Sequence, residues 1–198
     1  MKPKTNTTDI PARDQCQTPP YALNPLWPYL RKEWRIWEPA AGEGLMVDAL
    51  RKRGHDVEAS DVLTGRDFFK YAPESFDAIV TNPPYSTSIK FRWMRRCYML
   101  GKPFALLVPL ETIGAKSAQR LMDKHGFELI LMDKRVDYKM PDVGWKGKGA
   151  QFPSIWFTWG LKIGQQVTLA KLDKPSKQRF QEWLFGVEQL ALFEAVNA

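Results

Sequence analysis

At 198 residues the chain is long enough for one well-buried domain and too short for two ordinary ones. Its composition is that of a globular protein, 44% hydrophobic and 26% charged, and its formal net charge of +7 favours a polyanionic partner while equally suiting a basic solvated face. Two Cys and two His exclude a four-ligand zinc cluster and a disulfide framework, so no metal is expected and a reducing cytoplasm fits. The N-terminus, Met1 to Asn6, is polar and lacks the apolar core of a signal peptide. No apolar run approaches the length of a membrane span, so no membrane partner is expected. Eight Trp and eleven Phe are many for this size and are expected in the core or in pocket walls.

Residues 1–15 read as a flexible polar arm. A short helix start is expected over Asn24 to Leu30, followed by a strand at Trp34 to Trp37 and a tight loop, Glu38-Pro39-Ala40-Ala41-Gly42-Glu43-Gly44. Helical spacing then runs from Leu45 to Arg53, with Gly54 as its stop, and Val57 to Asp61 reads as a second strand. Phe76 to Thr81 is a short apolar run ending in β-branched residues, the pattern of a buried strand. A helix is predicted over Ser86 to Leu100, a strand over Phe104 to Leu110, a helix over Lys116 to His125 and a strand over Phe127 to Met132. Residues 133–153 hold four Lys, one Arg, three Asp, three Gly and two Pro and read as a long, basic, mobile loop. Pro153 to Trp159 resumes as a strand. Phe180, Trp183, Leu184, Val187 and Leu190 form an apolar stripe at helical spacing within a C-terminal helical extension, 166–198. Buried strands alternating with helices imply an α/β domain with a mostly parallel sheet over residues 16–165.

Three places carry chemistry. Asn82-Pro83-Pro84-Tyr85 directly follows a buried strand, and its two prolines fix φ and remove two backbone donors. An Asn oxygen, a prolyl carbonyl and an aromatic face together suit a planar ring bearing an amino group, such as adenine. The loop from Glu38 to Gly44 joins a strand to a helix, where Gly42 and Gly44 permit a tight turn and close approach to a ligand. It lacks both the three-glycine dinucleotide spacing and a P-loop Lys, and the Glu38 carboxylate would repel a pyrophosphate, so a positively charged ligand without phosphates fits better. Asp61, at the end of the second strand and followed by Val62, can accept the hydroxyls of a ribose; Glu58, mid-strand, is its rival. Asp67 with Phe68 and Phe69 offers a carboxylate acceptor beside an apolar wall.

These motifs together resemble the class I S-adenosylmethionine-dependent methyltransferases, in particular the DNA N6-adenine branch, in its small phage- or mobile-element-type members. The likeness spans roughly residues 14 to 160. It implies a Rossmann-like domain with a seven-stranded, mostly parallel sheet and helices on both faces. Glu38, Pro39, Ala40, Gly42 and Gly44 correspond to the family's cofactor loop, Asp61 with Val62 to its ribose acid, and Asp67 with Phe68 to its adenine-binding pair. Asn82, Pro83, Pro84 and Tyr85 correspond to its catalytic tetrapeptide, with Asn82 also beside the cofactor. Asp14 to Pro19, including Gln17 and Thr18, resembles the segment that closes over the methionine end of the cofactor.

The chemistry implied is direct in-line methyl transfer from S-adenosylmethionine to the exocyclic amino group of adenine. Asn82 and the Pro83 carbonyl would accept the two amino hydrogens, and Tyr85 would stack on a base flipped out of DNA. The strand from Phe104 with Glu111 is expected to line the cofactor site. Lys139, Lys146 and Lys148 are the candidate phosphate contacts, and Trp145 is either a wedge in the base stack or a core residue. Lys90, Arg92, Arg95 and Arg96 spread around their helix, some as plain surface. No separate target-recognition domain is expected, so specificity would come from the basic loop, the terminal helix or a second subunit, or be weak. RNA adenine or guanine amino groups, protein glutamine, and a silent nucleic-acid-binding role are the alternatives.

Overall fold

A computed structural model describes residues 14, 16–86, 88–140, 144–145, 152–176 and 179. Nine strands and three α-helices run through them in the order β1 (Arg35–Glu38), α1 (Leu45–Lys52), β2 (Asp56–Ala59), β3 (Ala78–Thr81), α2 (Ile89–Leu100), β4 (Phe104–Pro109), α3 (Lys116–His125), β5 (Glu128–Met132), β6 (Lys139–Met140), β7 (Gly144–Trp145), β8 (Ser154–Trp159) and β9 (Val167–Ala170). Seven strands form one sheet in the order β2-β1-β3-β4-β8-β5-β9, and β6 pairs with β7 in a separate ribbon. Only β8 runs antiparallel to its neighbours in the main sheet.

Side-chain alternation along the strands builds two apolar layers. Ile36, Val80, Ala105, Leu107, Ile130 and Trp156 face α1 and the 3-10 helix Pro20–Tyr29. Their immediate neighbours Trp37, Ile79, Leu106, Val108, Leu129 and Ile155 face α2 and α3. All six residues of β4 are buried, as expected of a central strand covered on both faces. Buried indoles keep hydrogen-bond partners: Trp156 Nε1 donates to the Ala22 carbonyl at 2.8 Å and Trp37 Nε1 to Ser60 Oγ at 2.9 Å.

The sheet reverses its winding between β1 and β3, because the chain places β2 on one side of β1 and then returns to add β3 on the other. In an open α/β sheet the crevice above such a reversal is where ligands bind. Here it lies above Glu38 and Thr81, the last residues of β1 and β3.

Two expectations are corrected. The sheet does not end before residue 165: β9 pairs in parallel with β5 from Leu129↔Val167 to Met132↔Ala170, so its edge strand lies in the stretch read as a helical extension. The basic loop is not uniformly mobile. Val136 and Tyr138 are buried, and Lys139 exchanges backbone hydrogen bonds with Gln17 at 2.9 and 3.0 Å, because an apolar residue at every second position lets this stretch pack as an extended strap. The apolar stripe from Phe180 to Leu190 lies outside the described residues.

Candidate active site

Above the switch point lies a cavity of about 460 Å³, within the ordinary range for a small-molecule site. Its walls come from the loop after β1 (Pro39, Ala40, Gly42, Glu43), the turn after β2 (Asp61, Val62, Leu63), the segment Asp67 to Phe69, the end of the β3 loop (Asn82, Pro84), the start of α2 (Ile89, Trp93) and the N-terminal strap (Asp14, Cys16, Gln17). Six separate pieces of sequence thus meet at one place.

The glycine loop is braced by carboxylates. Asp61 Oδ2 accepts from the Gly42 amide at 2.9 Å and Asp61 Oδ1 from the Leu63 amide at 2.8 Å. Each carboxylate oxygen has a further acceptor site, so Asp61 can hold the loop and still receive ligand hydroxyls. Gly42 has φ +51°, and a Cβ there would meet the Gln17 amide at 2.5 Å; Gly44 turns the chain into α1 at φ +88°. Gln17 in turn accepts from the Glu43 amide at 3.0 Å.

Beneath the loop, Glu38 is 1% exposed. Its Oε1 accepts from the Ala40 amide at 2.9 Å and from Thr81 Oγ1 at 2.5 Å, which ties β1 to β3 across the switch point. Burial pushes its carboxyl up to about 8, partly opposed by those two hydrogen bonds. Glu38 does not line the cavity. It acts as a strut under the loop, which corrects the expectation of a charge facing the ligand.

The opposite wall is apolar. Phe68, 2% exposed, stacks on Trp93 at 3.9 Å between ring centroids and 17° between planes. Asp67 Oδ1 accepts from the Phe69 amide at 2.9 Å, leaving its other oxygen without a partner among the described residues. A flat heteroaromatic ring with an amino group fits between such a wall and such an acceptor.

Asn82 sits just beyond β3 with its side-chain Oδ1 accepting from the Tyr85 hydroxyl at 2.5 Å. The Tyr85 hydroxyl is also 3.1 Å from that of Tyr138, which lies 2.8 Å from Ser154 Oγ on β8. Burial, then Tyr138, holds the Tyr85 phenol well above its usual pKa, and burial pushes Tyr138 up to about 12. Both phenols stay protonated and can donate. Asp14 clamps the same turn: its Oδ1 accepts from the Tyr85 and Ser86 amides at 2.8 and 3.1 Å, and its Oδ2 from Ser86 Oγ. No hydrogen bond reaches the Pro83 carbonyl among the described residues.

Of the residues singled out from sequence, Gln17, Pro39, Ala40, Gly42, Asp61, Val62, Asp67, Phe68, Asn82 and Pro84 come together on the cavity wall. Thr18, Glu38, Gly44, Pro83 and Tyr85 do not reach it. Tyr85 packs against Tyr138 and Phe152, with planes at 81° and 75°, rather than facing the cavity. Glu58 is taken up by Arg35 and Arg66, each at 3.1 Å, outside the cavity. Neither β4 nor Glu111 lines the site; Glu111 is exposed and lies 3.9 Å from Lys90, which corrects that expectation. Lys139 pairs with Glu43 of the glycine loop at 2.5 Å, so in this structure it serves the loop. Trp145 is described only by its backbone pairing with Lys139, and Lys146 and Lys148 lie outside the described residues. Sequence reading missed Leu63, Ile89 and Trp93. The available signal was spacing, since Ile89 and Trp93 stand four apart on the helix that follows the tetrapeptide.

No protein-family model matches the chain, and no curated protein matches it. A solved structure from Listeria monocytogenes, described as a class I S-adenosylmethionine-dependent methyltransferase, superimposes with a TM-score of 0.53 at 16% identity, covering 86% of this chain and 70% of that one. The fold is that of the class I methyltransferases. Two further structures, a type I restriction enzyme modification subunit from Vibrio vulnificus and a type I restriction-modification methyltransferase subunit from Streptococcus thermophilus, each superimpose at 0.47, with 10% and 11% identity. They match 87% and 77% of this chain, which spans 49% and 45% of theirs.

Proposed function

We propose that this protein transfers a methyl group from S-adenosylmethionine to the exocyclic amino group of adenine in DNA, with the base turned out of the helix toward Asn82-Pro83-Pro84-Tyr85. The observation that carries the reading is the juxtaposition of Asn82 with Asp61 and Asp67 on the wall of one cavity. An amide acceptor for an amino group thus faces the same space as acceptors for ribose and for a second amino-bearing ring.

The residues fit the cofactor. Asp61 offers free acceptor sites to ribose hydroxyls, the stacked Phe68–Trp93 pair and Asp67 suit an adenine ring, and the backbone of Pro39 to Gly42 leaves room close to the glycine loop. Bound there, the cofactor supplies an electrophilic methyl group. The chain supplies position. Asn82 Oδ1 would accept one amino hydrogen and the Pro83 carbonyl, which lies off the cavity wall, would accept the other from a base entering beside the cavity, which draws the nitrogen lone pair out of ring conjugation. Tyr85 keeps Asn82 oriented through its hydroxyl, and Asp14 holds the Tyr85–Ser86 backbone in place. Since Oδ1 already accepts from Tyr85, the amino group would use its second lone pair or displace the phenol. Charge supports a polyanionic substrate: the chain carries 29 Lys and Arg against 22 Asp and Glu.

Incubation with isotopically labelled S-adenosylmethionine and, separately, DNA, RNA or protein, followed by mass spectrometry of the digested product, tests the reading. N6-methyladenine in the DNA reaction alone is the expected result. Label in RNA bases or on glutamine, with none in DNA, would overturn the substrate assignment; label in none of them would overturn the activity.

A further inference from the structure

A second recess, a groove of about 780 Å³, lies away from the cleft. It runs between the 3-10 helix Pro20–Tyr29, the end of α1 and the segment that follows β9. Four cations line it, Lys52, Arg53, Lys174 and Arg179, against a single carboxylate, Asp173. Tyr21 and Trp27 supply aromatic walls. The Trp27 ring is held by its Nε1 donating to Asn24 Oδ1 at 3.1 Å, and the Arg53 guanidinium already stands over it, 5.0 Å from the ring centroid. Lys174 is partly committed, its Nζ lying 3.1 Å from Asp137 Oδ2. Lys52 and Arg53 are exposed and have no carboxylate partner among the described residues.

Cations alone on the end of a helix are ordinary solvated surface. Their concave arrangement around an oriented indole is different, because basic grooves with aromatic platforms are how proteins hold single-stranded nucleic acid without reading its sequence. We propose that this groove binds the sugar–phosphate backbone of a nucleic-acid strand flanking the methylated base, with Lys52 on one phosphate, Arg53 leaving the Trp27 ring for another, and a base taking the place of its guanidinium on an indole that His55 stacks against. The proposal rests on the nucleic-acid reading above. It also supplies grip on the substrate from the catalytic domain's own surface.

Position supports it. Gln17 lines the cleft and Tyr21 lines the groove, so a strap of four residues connects the two. Fully extended, that strap spans at most about 14 Å. Trp27 lies six residues further along the 3-10 helix, about 12 Å at about 2 Å per residue, so at about 3.4 Å per nucleotide a strand leaving the cleft reaches the Trp27 end of the groove within roughly eight nucleotides.

The test is fluorescence anisotropy with a fluorescein-labelled single-stranded DNA oligonucleotide, titrated at several salt concentrations. The double variant Lys52→Glu/Arg53→Glu should bind about 10- to 100-fold more weakly, and loss of two phosphate contacts should flatten the slope of log K against log salt by about 1.4. Trp27→Leu should weaken binding about 10-fold with the slope unchanged, because it removes stacking and no charge. Calorimetric S-adenosylmethionine binding should stay at the wild-type value in all variants. If the double variant loses that binding too, Lys52→Gln/Arg53→Gln replaces it, with the same change of slope expected. Unchanged affinity and slope in the charge variants would overturn the proposal. Failure of the groove is distinguishable from failure of the activity: a protein that methylates no nucleic acid would still show the groove-dependent slope if the groove assignment is right.

Discussion

The two sides of the cleft are held in different ways. The side built from Glu38 to Gly44 and Asp61 to Phe69 has a local frame, with Glu38 to Ala40 and Asp67 to Phe69 spanning two residues and Asp61 to Gly42 spanning 19, to which ties from Gln17, Thr81 and Lys139 are added across 26, 43 and 96. The side built from Asn82 to Ser86 depends on distant pieces of chain. Asp14 reaches Tyr85 across 71 residues, and Tyr138 reaches it across 53. Bonds within one βα unit form with the unit itself, whereas contacts across tens of residues must offset a larger loop-closure cost. The difference teaches that the cofactor side has a local frame reinforced from a distance, while the target-side turn takes its clamps chiefly from distant chain, and so can be disturbed separately.

The largest test of this division pairs two substitutions. Asn82→Ala should lower methyl transfer by about 100-fold or more, the usual cost of losing one preorganised polar group at a reacting centre, while calorimetry finds cofactor affinity within about two-fold of wild type. Asp61→Ala should do the reverse, weakening cofactor binding by about 10- to 100-fold through the lost charged hydrogen bonds. An Asn82→Ala protein with normal turnover, or one that no longer binds cofactor, would erase the proposed separation.

A smaller effect should follow from Asp14→Ala. Three bonds to Tyr85 and Ser86 disappear, and the Asn82 turn loses its clamp to the N-terminal strap. Turnover is expected to fall about 10-fold, with cofactor affinity little changed, as measured by initial rates at saturating cofactor. Equal losses in turnover and cofactor affinity would mean that Asp14 serves both sides alike.

The subtlest test is one of slope. Glu38 titrates near 4.5 when unperturbed and is pushed up to about 8 by burial. Between those values the folded chain holds the extra proton, so the wild type's stability falls as pH rises through this window and levels off above it. Gln at position 38 keeps an oxygen for Ala40 and Thr81 and never ionises. In thermal denaturation, the melting temperature of Glu38→Gln should therefore gain on that of the wild type between pH 5 and pH 8. Parallel curves would show that Glu38 is not the strut described above.

Much of this molecule was legible from residue order. The helix Lys116–His125 has the bounds expected from its spacing, and the strands at Phe104 and Ser154 lie where apolar runs placed them. These elements are long or strongly patterned, so local preference and burial agree. β9 escaped notice because Val167 to Ala170 alternates between exposed and half-buried positions at the sheet edge and has no buried residue to mark it. Asp61, Asp67 and Asn82 could be read as ligand groups because each follows a strand that points its end at the same crevice. Trp93 could be reached only through helical spacing, and Tyr138 not at all, since its partner Tyr85 lies 53 residues away.

The sequence by itself determined the alternation of strands and helices, the glycine loop and the polar groups that end β1, β2 and β3. These are local facts, set by apolar periodicity and by residues whose conformations are restricted or unusually free. Only the tertiary structure decided the roles. It buried Glu38 beneath the loop it was expected to charge, turned Lys139 toward Glu43, and joined Tyr85 to Asn82, Tyr138 and, through its backbone, Asp14. Which oxygen remains free for a ligand depends on partners brought together by sheet order, and strand order is a global choice that no single stretch of sequence encodes.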